Sequence, residues 1–146
     1  MTRAFIDASV LFSATYSDVG GSRELVRQAI RGTFQPITCP YVLEEARRNI
    51  ETTAPDLMEL HGFIASSLSD YIQVVEDPES ALVKEVEDYV VPKDAPVVAA
   101  ALSASADYLV TLDRKHLLKE SVRQRSGLNI LTPGDFLREL RSHLTS

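Results

Sequence analysis

Short apolar runs alternate along this chain with longer stretches in which apolar residues recur every three or four positions. That pattern predicts strands and helices taking turns. Ala4, Phe5 and Ile6 form the first run, closed by Asp7. The residues after it read as a loop as far as Ser22, which suits the N-cap of a helix through Ile30, with Gly32 just past its end. Pro36 to Cys39 predicts a second strand, and Val42, Leu43, Ala46 and Ile50 give a helix over Tyr41 to Ile50.

A further helix is expected from near Pro55, with Leu57, Leu60, Ile64 and Leu68 as its apolar stripe, before Tyr71 to Val75 resumes an extended pattern. Asp77 and Pro78 suit the cap and first turn of the next helix, whose buried side is Leu82, Val83 and Val86. Val90, Val91 and Pro92 break that pattern. Ala95 to Ala106 is nearly all small and apolar, as in a helix buried on most sides, and Tyr108 to Thr111 is a strongly β-prone run expected to lie centrally. Asn129 to Leu131 makes a last strand, and Thr132 caps a closing helix through Leu144.

Strands alternating with helices predict a mainly parallel sheet covered on both faces, because parallel neighbours need crossover connections. The 146 residues suit one domain, read here as spanning 1–146. One cysteine, Cys39, excludes an intramolecular disulfide and a cysteine-based zinc site, and its expected role is small buried filler. The apolar stretch at the N-terminus is too short for a signal peptide or a membrane span, so the expectation is a cytoplasmic protein without a membrane partner.

A net charge of −6 argues against holding nucleic acid by bulk electrostatics. The excess is uneven, however. Arg114, Lys115, Lys119, Arg123 and Arg125 lie close together with Glu120 the only acid among them, which allows either a local phosphate-attracting patch or a solvated face.

Ligands collect beyond the carboxyl ends of parallel strands, so acids just after apolar runs are the first candidates for chemistry. Asp7 follows the first strand, and Asp113 lies one residue beyond Thr111. Asp94 opens the Ala-rich helix, whose N-terminus should face the same edge. Glu44 and Glu45 stand early in the helix after the second strand. Spacing alone leaves both open, with Glu45 nearer the face marked by Val42 and Ala46.

Each residue also has an ordinary reading. Asp94 suits a helix N-cap, Asp113 a turn, and Glu44 and Glu45 a solvated helix surface. Asp7 has no evident capping role if loop follows it. Ser9 either caps the chain as it leaves the strand or reaches Asp7 and its surroundings. His61, His116 and His143 are scattered, with His116 the one nearest the acids in sequence. Carboxylates gathered at one edge repel unless a cation lies between them, and oxygen-only ligation suits Mg²⁺ or Mn²⁺. Water activated by such a cation can attack a phosphodiester.

Four segments, Phe5 to Leu11, Tyr41 to Glu45, Asp94 to Ala101 and Ala106 to Asp113, each with its acid and in this order, resemble the PIN domain. The resemblance implies a three-layer α/β/α sandwich and a Mg²⁺- or Mn²⁺-dependent endoribonuclease cutting single-stranded RNA. It further implies that Asp7, Glu45, Asp94 and Asp113 form the catalytic, metal-binding set, with Glu45 as the helix glutamate and Ser9 as the hydroxyl near the first acid. Many relatives are VapC-like toxins of toxin–antitoxin pairs, so an antitoxin protein and a homodimer are the partners implied. Arg114 and Lys115, beside Asp113, are candidates for flanking phosphates. Where many PIN domains carry a further acid, this chain offers Arg114, Lys115, His116 and Leu117. The rival readings are a catalytically inactive PIN-like module that binds protein or RNA, and a receiver-like or phosphatase domain using Asp7 as phosphate acceptor.

Overall fold

The computed structural model describes residues 1–145 and contains five short strands. They are β1 (Arg3–Ile6), β2 (Gln35–Thr38), β3 (Gln73–Val74), β4 (Tyr108–Val110) and β5 (Asn129–Leu131). Every pairing is parallel, in the order β3-β2-β1-β4-β5. The helices among the described residues are α1 (Ala8–Tyr16), α2 (Gly21–Ile30), α3 (Pro40–Thr53), α4 (Met58–Leu68), α5 (Ser80–Val86), α6 (Ala95–Ser103), α7 (Glu120–Ser126) and α8 (Pro133–Thr145). None of them is long and apolar enough to cross a membrane. The result is a three-layer α/β/α arrangement, as the alternating pattern requires.

The interior strands are apolar on both sides because helices cover both faces. Ala4, Phe5, Ile6, Leu109 and Val110 are all buried. Helices α1 to α4 pack on one another and α8 docks against α2, while α5 pairs with α6. Phe136 of α8 meets Phe34 and Tyr108 edge-on, with ring centroids 5.0 and 5.3 Å apart.

Strand order decides where the site lies. The chain builds outward from β1 to β2 and β3, then returns to the other side of β1 for β4 and β5. The carboxyl ends of β1 and β4 therefore flank the point where the winding reverses, the crevice in which open α/β sheets bind their ligands.

The elements depart from the sequence pattern in five places. Ser22 does not cap α2 but lies buried inside it, the N-cap position being Gly20. Residues Ala8 to Tyr16, expected as loop, form α1; with Ala8, Val10, Leu11, Ala14 and Thr15 buried, it has no polar face to betray a helical period. Asp77 does not cap the helix that follows it, which starts at Ser80; its Oδ1 instead accepts the Tyr41 N–H at the start of α3, 2.9 Å away. The extended run Tyr71 to Val75 shrinks to the edge strand β3, Gln73–Val74. Helix α7 was not expected at all, although Gly127, with φ of 75°, ends it in the left-handed conformation glycine favours.

Candidate metal centre

Asp7 and Thr111 lie side by side at the carboxyl ends of β1 and β4. Ile6 faces Val110 in the register, and the Asp7 N–H continues the ladder to the Val110 carbonyl at 3.0 Å. Asp7 is buried. Its Oδ2 accepts hydrogen bonds from the Thr111 hydroxyl at 2.7 Å and the Ser9 hydroxyl at 2.9 Å. Its Oδ1 accepts the Ala8 N–H at 2.8 Å, so Asp7 caps α1, contrary to the expectation that it had no capping role. Burial pushes its carboxyl above the usual range against the pull of those three bonds, and the nearby Asp113 adds to the rise.

Asp94 shows the opposite behaviour. It stands at the N-cap position of α6 yet its side chain makes no capping hydrogen bond. Its Oδ2 is fully buried and has no hydrogen-bond partner. Burial raises its carboxyl, and Asp113 and then Asp7 raise it further, while His116 and Lys93 pull the other way.

Asp113 begins a turn whose backbone closes on it. Thr111 Oγ1 accepts the Asp113 N–H at 3.1 Å, Asp113 Oδ1 accepts the His116 N–H at 2.9 Å, and the Asp113 carbonyl accepts the Leu118 N–H at 2.9 Å. This turn brings His116 Nδ1 to 3.0 Å from Asp94 Oδ2 and 3.5 Å from Asp113 Oδ2. Asp94 Oδ2 makes no hydrogen bond in spite of that 3.0 Å approach.

Helix α3 separates the two glutamates left open by spacing. Glu44 points outward, half exposed, into ion pairs with Arg47 at 2.7 Å and Arg48 at 3.9 Å. Glu45 is largely covered, and its Oε1 lies 3.8 Å from Lys93 Nζ. Burial raises the Glu45 carboxyl, as do the charges of Asp7 and Asp94. Tyr41, from the first turn of α3, donates its hydroxyl to the Lys93 carbonyl at 2.8 Å and so ties α3 to the segment carrying Asp94.

Asp7, Glu45, Asp94 and Asp113 thus fall at one edge and influence one another electrostatically. Ser9 does not face outward, since its hydroxyl bonds Asp7 and accepts the Leu112 N–H at 3.0 Å. Arg114 and Lys115 are exposed on the turn after Asp113. The wider basic run is broken up: Arg125 pairs with Asp88 at 2.8 Å, and Arg123 donates to the Ile130 carbonyl at 3.1 Å. Thr111 and His116 were not among the candidate site residues. Their signal was spacing, two residues before and three after Asp113, where a β-branched hydroxyl ends a strand and an imidazole closes a turn.

A cation suits this donor set. Buried carboxylates that repel one another, one with an oxygen that no protein group satisfies, are costly unless positive charge lies among them. Asp94, Asp113 and His116 each present a ligand atom within 4.8 Å of the others. With carboxylate oxygens, an imidazole nitrogen and no thiol at the site, the arrangement fits a hard or borderline divalent ion. Cys39 is away from this chemistry; it is buried, and burial pushes its thiol up to about 11.

The family model for the PIN domain matches residues 3–115. Among solved structures, PAE2754 from Pyrobaculum aerophilum superposes with a TM-score of 0.67 at 22% identity, covering 97% of this chain and 90% of that one. FitAcB from Neisseria gonorrhoeae gives a TM-score of 0.62 at 14% identity, over 89% and 97% of the two chains. VapC20 from Mycobacterium tuberculosis, a toxin that cleaves the sarcin-ricin loop, gives 0.55 at 13% identity, over 77% and 91%. Among curated proteins, none matches.

Proposed function

The chain belongs to the PIN-domain family, and from that premise we propose that it is a divalent-metal-dependent endoribonuclease acting on single-stranded RNA, the toxin of a toxin–antitoxin pair. The observation that carries this reading is the buried Asp94 Oδ2 without a hydrogen-bond partner, set among Asp7, Asp113 and Glu45. A pocket organised only for stability would satisfy that oxygen.

Asp7, Asp94 and Asp113 would hold Mg²⁺ or Mn²⁺. The bound cation supplies charge neutralisation at the phosphate and a more acidic water. Glu45 orients the attacking water and takes its proton. Its raised pKa suits that task, because a base titrating nearer neutrality holds a transferred proton better. Thr111 and Ser9 fix the Asp7 carboxylate by two hydrogen bonds, so that it does not rotate away when substrate arrives. Arg114 and Lys115, exposed beside Asp113, draw the flanking phosphates of a strand laid across the edge.

The toxin assignment is supported by the fold shared with VapC20. It brings with it an antitoxin protein as partner and a single domain over the whole chain, in the cytoplasm. The test is cleavage of a mixed single-stranded RNA by the purified protein with Mg²⁺ or Mn²⁺, using chelator and Asp7→Asn and Asp94→Asn as controls. Metal-dependent cutting abolished in both variants is the expected result. Absence of cutting over a broad RNA panel, together with no Mn²⁺ binding, would sink the proposal in favour of an inactive binding module.

A further inference from the structure

We infer that His116 is itself a ligand, through Nδ1, to the cation held by Asp94 and Asp113, and that this nitrogen turns the site toward a first-row transition ion such as Mn²⁺ and away from Mg²⁺. The inference rests on the metal-centre reading proposed above and assigns it a ligand and a preference.

Position comes first. The backbone N–H of His116 is bonded to Asp113 Oδ1 at 2.9 Å, and the next residue, Leu117, is fully buried, so the backbone of the turn is fixed where the imidazole reaches both acids. The ring is delivered to the two acids rather than resting on the surface beside them.

Distance comes second. Two ligands at right angles on an octahedral ion, with bonds of about 2.1 Å, lie about 3.0 Å apart. His116 Nδ1 and Asp94 Oδ2 are 3.0 Å apart, and Nδ1 and Asp113 Oδ2 are 3.5 Å apart.

Direction comes third. An imidazolium paired with Asp94 would aim its N–H at Oδ2 and satisfy it. Here Oδ2 stays without a hydrogen bond although the nitrogen is close. Two ligands of one ion need no hydrogen bond between them, so this close but unbonded pair suits shared ligation.

The metal preference follows from the donor. Mg²⁺ takes oxygen ligands and keeps much of its water, whereas imidazole nitrogen suits Mn²⁺ and the later first-row ions. A site that adds one imidazole to its carboxylates therefore separates ions that an all-carboxylate site would treat more alike.

The experiment uses the untagged full chain, without RNA, titrated with Mn²⁺. Bound ion is read from loss of the free-ion electron paramagnetic resonance signal, and nitrogen ligation from ¹⁴N modulation of the electron spin echo. The expected result is bound Mn²⁺ with ¹⁴N modulation in the wild type. His116→Gln should lose the modulation and bind Mn²⁺ about tenfold or more weakly. His116→Asp should also lose it, while less Mg²⁺ suffices to displace Mn²⁺ than in the wild type. Circular dichroism establishes that both variants are folded. Mn²⁺ bound in an Asp94-dependent way with no ¹⁴N modulation in the wild type, or with modulation that survives in His116→Gln, would overturn the inference and leave the nuclease proposal standing. No Mn²⁺ binding at all would overturn the inference, and the nuclease proposal falls with it only if no RNA is cut.

Discussion

The Thr111 hydroxyl stands between two acids from opposite ends of the chain, donating to Asp7 Oδ2 at 2.7 Å while accepting the Asp113 N–H at 3.1 Å. One buried oxygen thereby sets the spacing of Asp7 and the start of the Asp113 turn. Thr111→Val keeps the shape but removes both bonds, leaving the Asp113 N–H unsatisfied and Asp7 Oδ2 with the Ser9 hydroxyl alone, and the expected cost is about 1–3 kcal/mol of stability. Thr111→Ser should recover most of that loss. Urea unfolding of the two variants measures the difference.

Glu45→Gln keeps size and burial while removing the proton acceptor. If Glu45 is the base, cleavage falls on the order of 10²–10⁴-fold with Mn²⁺ affinity changed far less. Glu44→Gln, at the exposed ion pair with Arg47, should leave cleavage unchanged. Equal losses in the two variants would remove Glu45 from the mechanism.

Asp7, Glu45 and Asp94 all have pKa values raised in the folded state. A raised carboxyl binds its proton in the folded chain before the unfolded one does, so its contribution to stability grows as pH falls through the folded value toward the ordinary range near 4, and shrinks again as pH rises. In chelator, these groups should make the protein more stable at mildly acidic pH than at neutral pH. His61, lowered by burial, works in the opposite sense, so the comparison belongs between wild type and Asp94→Asn. The variant should show a smaller gain on acidification, and a neutral-pH melting temperature higher by about 2–4 °C for each kcal/mol of relieved repulsion. Saturating Mn²⁺ should abolish the acid-side gain in the wild type.

Arg114 and Lys115 are expected to act on substrate alone. Replacing both with Ala should weaken RNA binding and flatten the dependence of log K on log salt by about 0.7 for each phosphate of a single strand that is no longer neutralised. Mn²⁺ affinity without RNA should not change. An unaltered salt slope would show that the strand runs elsewhere.

Strand–helix alternation was legible where an element carried both an apolar stripe and a polar side, which the short, mostly polar α7 does not. The stripes of α3 and α4 and the Thr132 cap, whose Oγ1 accepts the Asp135 N–H at 3.2 Å, stood out for that reason. Helix α1 was hidden because it is apolar nearly all round, and β3 because a two-residue edge carries no period. At the site, the acids were visible as residues ending apolar runs. Their partners were not: whether an aspartate at a helix start caps the helix depends on tertiary contacts, so Asp7 and Asp94 exchanged the roles their local sequence suggested. His116 stood out among the histidines only by its place three residues after Asp113, and spacing hints at but does not fix the bond that folds the turn back onto Asp113.

Asp7 and Thr111 are 104 positions apart in sequence, yet neighbours through the pairing of β1 with β4. A growing polypeptide that has emerged only as far as α5 holds Asp7 and Glu45 but neither Asp94 nor Asp113, and β1 still has one flank bare. The acidic edge therefore comes into being late in synthesis, when β4 slots in beside β1. Until then two of the four acids are missing from that edge, and a fragment stopped before that point inherits the early strands without it.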